Sequence, residues 1–132
     1  MQYNGGTTVK DISIILVDDD PHYLKLLVGI VTENGFKNHH ATSGEHALEI
    51  LTVNRCELMI TDLQMPGMNG YELSMLARKL DPDMEIVLFT GAASAEVSRA
   101  AAGVGISRVV AKPCSVEEIL AIINDSVGGN PG

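Results

Sequence analysis

The chain has 132 residues, 45% of them hydrophobic, and a formal net charge of −8, which suits one compact domain with its own core and excludes a disordered chain. Nine Lys and Arg against 17 Asp and Glu exclude the basic footprint of a protein that binds nucleic acid directly. No apolar run approaches the ~20 residues that span a bilayer, and the opening MQYNGGTTVKD lacks the apolar stretch of a secretory signal, so the expectation is a soluble, cytoplasmic protein.

Short apolar runs alternate with longer amphipathic ones. Ile12 to Val17 is a β-branched run of the kind found in strands buried on both faces. Asp20-Pro21 then opens a helix, with Asp20 as cap and Pro21 at the first helical position. Tyr23, Leu24, Leu27, Ile30 and Val31 follow at helical spacing, and Gly35 closes that helix. Lys37 to Ala41 is a strand read mainly from its place in the rhythm, and Ser43 caps a second helix carrying Ala47, Leu48, Ile50 and Leu51.

Glu57 to Thr61 is a third strand, and Asp62 to Asn69, with Pro66 and Gly67, reads as a loop. Gly70 to Leu80 is a third helix, stopped by Asp81-Pro82. Glu85 to Phe89 is a strand, Ser94 to Ala102 an Ala-rich helix ended by Gly103 and Gly105, and Ser107 to Ala111 the last strand. Ser115 with Glu118 forms a capping-box pattern that opens a final helix through Ser126. Five strands alternating with five helices predict an α/β fold, a parallel sheet covered on both faces. The domain reading is a flexible extension over 1–10, the domain over 11–127, and a tail or linker over 128–132, where the composition is Gly- and Pro-rich.

Polar residues gather where the predicted strands end. Asp18, Asp19 and Asp20 follow the first, Asp62 the third, Thr90 the fourth and Lys112 the fifth. In open α/β sheets those ends form the ligand crevice. Carboxylates converging there repel one another, and a hard divalent cation such as Mg²⁺ relieves the repulsion. Lys112 adds an ammonium and Thr90 a hydroxyl donor. An anionic nucleophile flanked by these groups suits phosphoryl transfer, in which catalysis is mostly positioning and charge neutralisation. Taken singly, each residue has a plainer reading: Asp20 before Pro21 is a helix cap, a strand-end Thr is structural and a lone Lys is solvated. Their joint placement on one rim carries the functional reading.

ILVDDDP, TDLQMPGMNGYEL, LFTGA and VVAKP, in this order and spacing, resemble the receiver domain of two-component response regulators over residues 11 to 127. Met65-Pro66-Gly67 followed by Gly70 is the most diagnostic segment. The resemblance implies a flavodoxin-like, five-stranded parallel sheet of order 2-1-3-4-5 flanked by five helices. It implies Asp62 as phosphoacceptor, Asp18 and Asp19 as the acidic pair holding Mg²⁺, Asp19 directly and Asp18 through water, and the Gln64 carbonyl as a further metal ligand. Thr90 then matches the switch hydroxyl, Lys112 the lysine on the phosphoryl group, and Lys112-Pro113 a cis bond. The implied donor is a sensor histidine kinase or a histidine phosphotransfer protein, and the implied recipient of the signal is an output domain or effector protein. The domain would be a switch that catalyses its own phosphorylation and dephosphorylation rather than an enzyme acting on other molecules.

Two positions depart from the family. Val109 stands where Tyr or Phe is usual three residues before the lysine, so a coupled Thr–aromatic motion cannot run in its usual form. Cys114 stands where an aromatic often follows the proline. The two cysteines, Cys56 and Cys114, read as free thiols without redox or metal roles. His39 and His40, adjacent on one strand, should face opposite ways and not share a metal, and His22 reads as an exposed first-turn residue. Two alternatives stand beside the switch: a haloacid-dehalogenase-like Mg²⁺ phosphatase, whose DxDxT-like motif Asp18 to His22 lacks, and a degenerate receiver serving only as an interaction module.

Overall fold

The computed structural model describes residues 11–127. The extension expected over 1–10 and the tail expected over 128–132 lie outside the described residues. Five strands, β1 (Ser13–Val17), β2 (Lys37–Ala41), β3 (Leu58–Asp62), β4 (Glu85–Thr90) and β5 (Arg108–Ala111), alternate with five helices, α1 (Pro21–Glu33), α2 (Gly44–Val53), α3 (Gly70–Leu80), α4 (Ala95–Gly103) and α5 (Val116–Val127). The strands form one sheet in the order β2-β1-β3-β4-β5, and every pairing is parallel.

Alternation along the central strands sorts side chains into two cores. Ile14 and Leu16 of β1, Ile60 of β3 and Phe89 of β4 pack with Leu24, Leu27 and Val31 of α1 and Ile119 and Ile123 of α5. Ile15, Val17, Met59, Ile86 and Leu88 face the other way, onto Ala47 of α2, Leu73 and Ala77 of α3 and Ala101 of α4. Each fully buried Leu or Ile is worth about 1.5–3 kcal/mol, so the central strands hold the sheet from both faces. β2 and β5, at the edges, stay partly exposed.

Local signals set the boundaries. Asp20 caps α1 by accepting from the N–H groups of His22 and Tyr23, and Ser43 and Ser94 cap α2 and α4. Ser115 and Glu118 form the reciprocal box that opens α5. A second box, Asn69 with Glu72, opens α3; the Asn-x-x-Glu spacing was available in the sequence and went unread. The Arg78 guanidinium donates to the carbonyls of Pro82, Met84 and Gly105, tying α3 to the turns before β4 and β5.

The expected elements differ from the observed ones by single residues. β1 begins at Ser13 rather than Ile12, β3 at Leu58 rather than Glu57, and β5 at Arg108 rather than Ser107. Ser94 is the cap of α4 and not its first residue. The functionally important shifts are at the other ends. Asp62 closes β3 and Thr90 closes β4, because the ladder continues through the pairs Asp62↔Phe89 and Thr90↔Ala111.

Candidate functional site

The site is made by register. Val17 is level with Thr61 in the β1–β3 ladder, so the next residues, Asp18 and Asp62, emerge side by side. Thr90 is level with Ala111, and the Lys112 N–H donates to the Thr90 carbonyl at 2.8 Å. Strand ends from four parts of the chain thus meet on one rim.

Asp18, Asp62 and Thr90 are buried, while Asp19 is exposed. One carboxylate oxygen from each of Asp18, Asp19 and Asp62 lies within 4.8 Å of the others. The Lys112 ammonium donates to Asp18 Oδ2 at 2.9 Å and stands 3.5 Å from Asp62 Oδ2. The other oxygen of Asp18 accepts from the Asp20 N–H at 2.9 Å, and Asp62 Oδ1 accepts from the Leu63 N–H at 2.8 Å. Both buried carboxylates are therefore oriented by backbone donors, with their second oxygens turned to Lys112.

Burial pushes the Asp62 carboxyl above the ordinary aspartate range, and the charge of Asp18 adds to that; Lys112 and the Leu63 N–H act against it without cancelling it. For Lys112, burial pulls the ammonium down, but the hydrogen bond and charge of Asp18 with the charge of Asp62 outweigh it and hold the ammonium above its ordinary value. An anionic pocket carrying one fixed cation and a surplus of carboxylate oxygens fits a small, oxygen-preferring divalent ion.

The loop after Asp62 is shaped by two glycines. Gly67 has φ +75°, a conformation side chains disfavour. At Gly70 a Cβ would fall 2.5 Å from the Asp62 carbonyl oxygen and 3.0 Å from Leu63 Cα. Only glycine lets the start of α3 close on the phosphoacceptor candidate, where the Gly70 N–H donates to the Leu63 carbonyl at 2.8 Å.

Of the residues expected from sequence, Asp18, Asp19, Asp62 and Lys112 come together. Thr90 sits at the end of the neighbouring strand, with its hydroxyl accepting from the Ala92 N–H at 3.0 Å. Gln64 is exposed, two residues past Asp62. Lys112-Pro113 is cis. Asp20 is the helix cap and His22 is exposed. His39 and His40 pair with Ile15 and Leu16, which belong to opposite cores. Both cysteines are free. Burial pushes the Cys56 thiol up to about 11 and raises that of Cys114 too, so neither is primed as a nucleophile. Tyr23 is a residue of the site that its sequence spacing, on the apolar face of α1, does not reveal; its ring lies under the Lys112 ammonium, 4.5 Å from centroid to Nζ.

Comparison with known proteins gives one family. Residues 14–124 match the model of the response regulator receiver domain. The transcriptional regulatory protein GlrR of Escherichia coli K12 is 32% identical over 118 residues, 89% of this chain, and the chain spans 27% of that protein's length. Among solved structures, a CheY-like response regulator receiver domain protein from Methanospirillum hungatei JF-1 superposes with a TM-score of 0.85 at 28% identity, covering 89% of this chain and 94% of that one. A response regulator from Burkholderia pseudomallei, solved with a phosphorylated aspartic acid, a calcium ion and citrate, has a TM-score of 0.81 at 26% identity, covering 89% and 70%.

Proposed function

The chain belongs to the response regulator receiver domain family, and on that premise we propose that it accepts a phosphoryl group on Asp62 and switches conformation in response. Receiver domains are signalling switches, and the phosphatase and the degenerate-receiver alternatives are not favoured: the acidic pair, the acceptor aspartate and the lysine are all in place on one rim. The observation that carries the reading is the Lys112 ammonium held between Asp18 and Asp62, 2.9 and 3.5 Å from their oxygens.

The chemistry follows from those groups. A carboxylate oxygen of Asp62 attacks the phosphorus of the donor. The bond from phosphorus to the donor's histidine nitrogen breaks, its electron pair stays on that nitrogen, and an acyl phosphate forms on Asp62. Lys112 neutralises charge on the phosphoryl oxygens, and the Leu63 N–H holds Asp62 in its attacking rotamer. Asp18, Asp19, Asp62 and the Gln64 carbonyl would hold Mg²⁺, which offsets carboxylate repulsion and polarises the phosphoryl group. The metal and phosphoaspartate of the Burkholderia relative support that assignment. The Thr90 hydroxyl donates a hydrogen bond to the acquired phosphoryl group. Attack by water on the same phosphorus returns Asp62 and inorganic phosphate, so the domain catalyses both its own phosphorylation and its dephosphorylation.

The partners proposed are a sensor histidine kinase or a histidine phosphotransfer protein as donor, and an output domain or effector as recipient, in the cytoplasm. No helix among the described residues is long and apolar enough to cross a membrane. Residues 11–127 are proposed as the receiver unit. Labelling with acetyl phosphate, with and without Mg²⁺, tests the assignment. Incorporation should depend on Mg²⁺ and approach about one phosphoryl per chain, given a single nucleophile. Equal labelling of Asp62→Asn refutes the site.

A further inference from the structure

Among the described residues, the Lys112 ammonium meets not only the carboxylates of Asp18 and Asp62 but also an aromatic ring. The Tyr23 ring reaches it from the first turn of α1, with Nζ 4.5 Å from the centroid. A cation within about 6 Å of an aromatic centroid is attracted by the negative face of the ring. Tyr23 is half-buried and packs against the core under α1 and α5, as does Cys114, two residues past the lysine. Its backbone N–H donates to Asp20, the cap that follows the acidic pair, so the acidic motif and the ring are placed by the same turn. The Tyr23 hydroxyl is buried, with the Cys114 thiol as its polar neighbour. Core packing and the Cys114 thiol hold the ring where it is, and the ring face is what meets the ammonium.

We propose that Tyr23 is a positioning residue for phosphoryl transfer, its ring fixing the Lys112 ammonium between Asp18 and Asp62. This rests on the reading of Asp62 as acceptor. A lysine has a long, flexible stem, and its two carboxylate partners change in charge or in company whenever Asp62 is phosphorylated. The ring does not change. It gives the ammonium a constant neighbour through the cycle, and it holds the lysine within reach of Asp62 although Asp18 lies closer.

The test is the rate of acetyl phosphate labelling of the full chain with Mg²⁺, at saturating and at limiting donor, for the wild type, Tyr23→Phe and Tyr23→Leu. Tyr23→Phe keeps the ring and should label within about twofold of wild type, whereas Tyr23→Leu should slow labelling at saturating donor about three- to tenfold. In a Lys112→Met background, Tyr23→Leu should have no further effect, since the ring acts through the ammonium. If Tyr23→Leu does not fold, Tyr23→Met refills the volume without a ring and carries the same expectation. Wild-type rates in Tyr23→Leu, equal slowing by Phe and Leu, or an undiminished effect of Leu in the Lys112→Met protein each overturn the role. A wild type that takes no label, or an Asp62→Asn that labels equally, overturns the acceptor reading and this role with it.

Discussion

Replacing Asp62 by asparagine removes one negative charge from a buried, acidic pocket while keeping the shape of the side chain and its bond from the Leu63 N–H. At an effective dielectric of about 20, Lys112 at 3.5 Å attracts the Asp62 carboxylate by about 5 kcal/mol. Asp18 and Asp19, with oxygens no farther than 4.8 Å, each repel it by at least about 3.5 kcal/mol on the same footing. Asp19 is exposed, so solvent screens much of its share. Attraction and repulsion nearly cancel, and the cost of burying the charge then decides the sign. That agrees with the raised position of the Asp62 carboxyl, for which burial is the leading cause. Asp62→Asn should therefore be more stable than wild type at pH 7 in a chelator, by about 1–2 kcal/mol, or about 4–8 °C in Tm. A carboxyl whose value is raised in the fold binds its proton more tightly there than in the unfolded chain, so wild-type stability falls as pH rises from the ordinary carboxylate range through the raised value. The asparagine protein lacks that step. The gap between the two should be small in acid, open above the ordinary aspartate range, and narrow again when Mg²⁺ is added. Thermal melts across pH, with chelator or Mg²⁺, measure it. An asparagine protein less stable than wild type at pH 7 in chelator would mean that the ammonium outweighs both burial and the other carboxylates, and the account of a cation-seeking pocket would fail.

Lys112→Met leaves Asp18 and Asp62 facing each other without their cation, and should lower stability by about 3–5 kcal/mol in chelator; Mg²⁺ should recover part of this in melts, while labelling stays slow. Gly70→Ala drives a methyl group to 2.5 Å from the Asp62 carbonyl and should cost about 1–3 kcal/mol together with a loss of labelling rate. Gly29→Ala, where a Cβ meets nothing within 4 Å, is its control and should stabilise α1 by about 0.5–1 kcal/mol in the same melts without altering labelling.

The sequence was most readable where one residue type answers one local need. Asp20-Pro21, Ser43 and Ser115 with Glu118 each supply the cap that a helix start requires, and all three act as caps. β2 has no hydrophobic run, and only the rhythm of its neighbours located it. The strand ends were read one residue short at Asp62 and Thr90 because polar residues look like loop, whereas ladder bonds to the next strand carry them into the sheet. The carboxylates and lysine were legible as a set because four strand ends share one rim. Which carboxylate Lys112 prefers was not legible, since it depends on tenths of an ångström between side chains 94 and 50 positions away in the chain. Tyr23 was hidden for a related reason. Its spacing fits the apolar face of α1, and nothing local reveals that the far edge of that face runs beneath a lysine at the end of β5.

Val109 constrains how a charge at Asp62 is felt elsewhere. It lies half-buried against the core beneath α4, level with Leu88, and a β-branched side chain has neither a ring to swing nor much rotamer freedom to change. A response in β5 at that position is therefore small. Thr90 leaves a different route. Its hydroxyl accepts from the Ala92 N–H, three residues before the start of α4. On the proposed role of Thr90, a hydroxyl drawn toward a phosphoryl oxygen on Asp62 would leave that N–H and release the segment that leads into the Ser94 cap. Ala92 is exposed and Gly91 meets nothing within 4 Å at its Cβ position, so this segment has room to move. The coupling expected of this chain thus begins at a single backbone hydrogen bond ahead of α4, not at a side chain on β5.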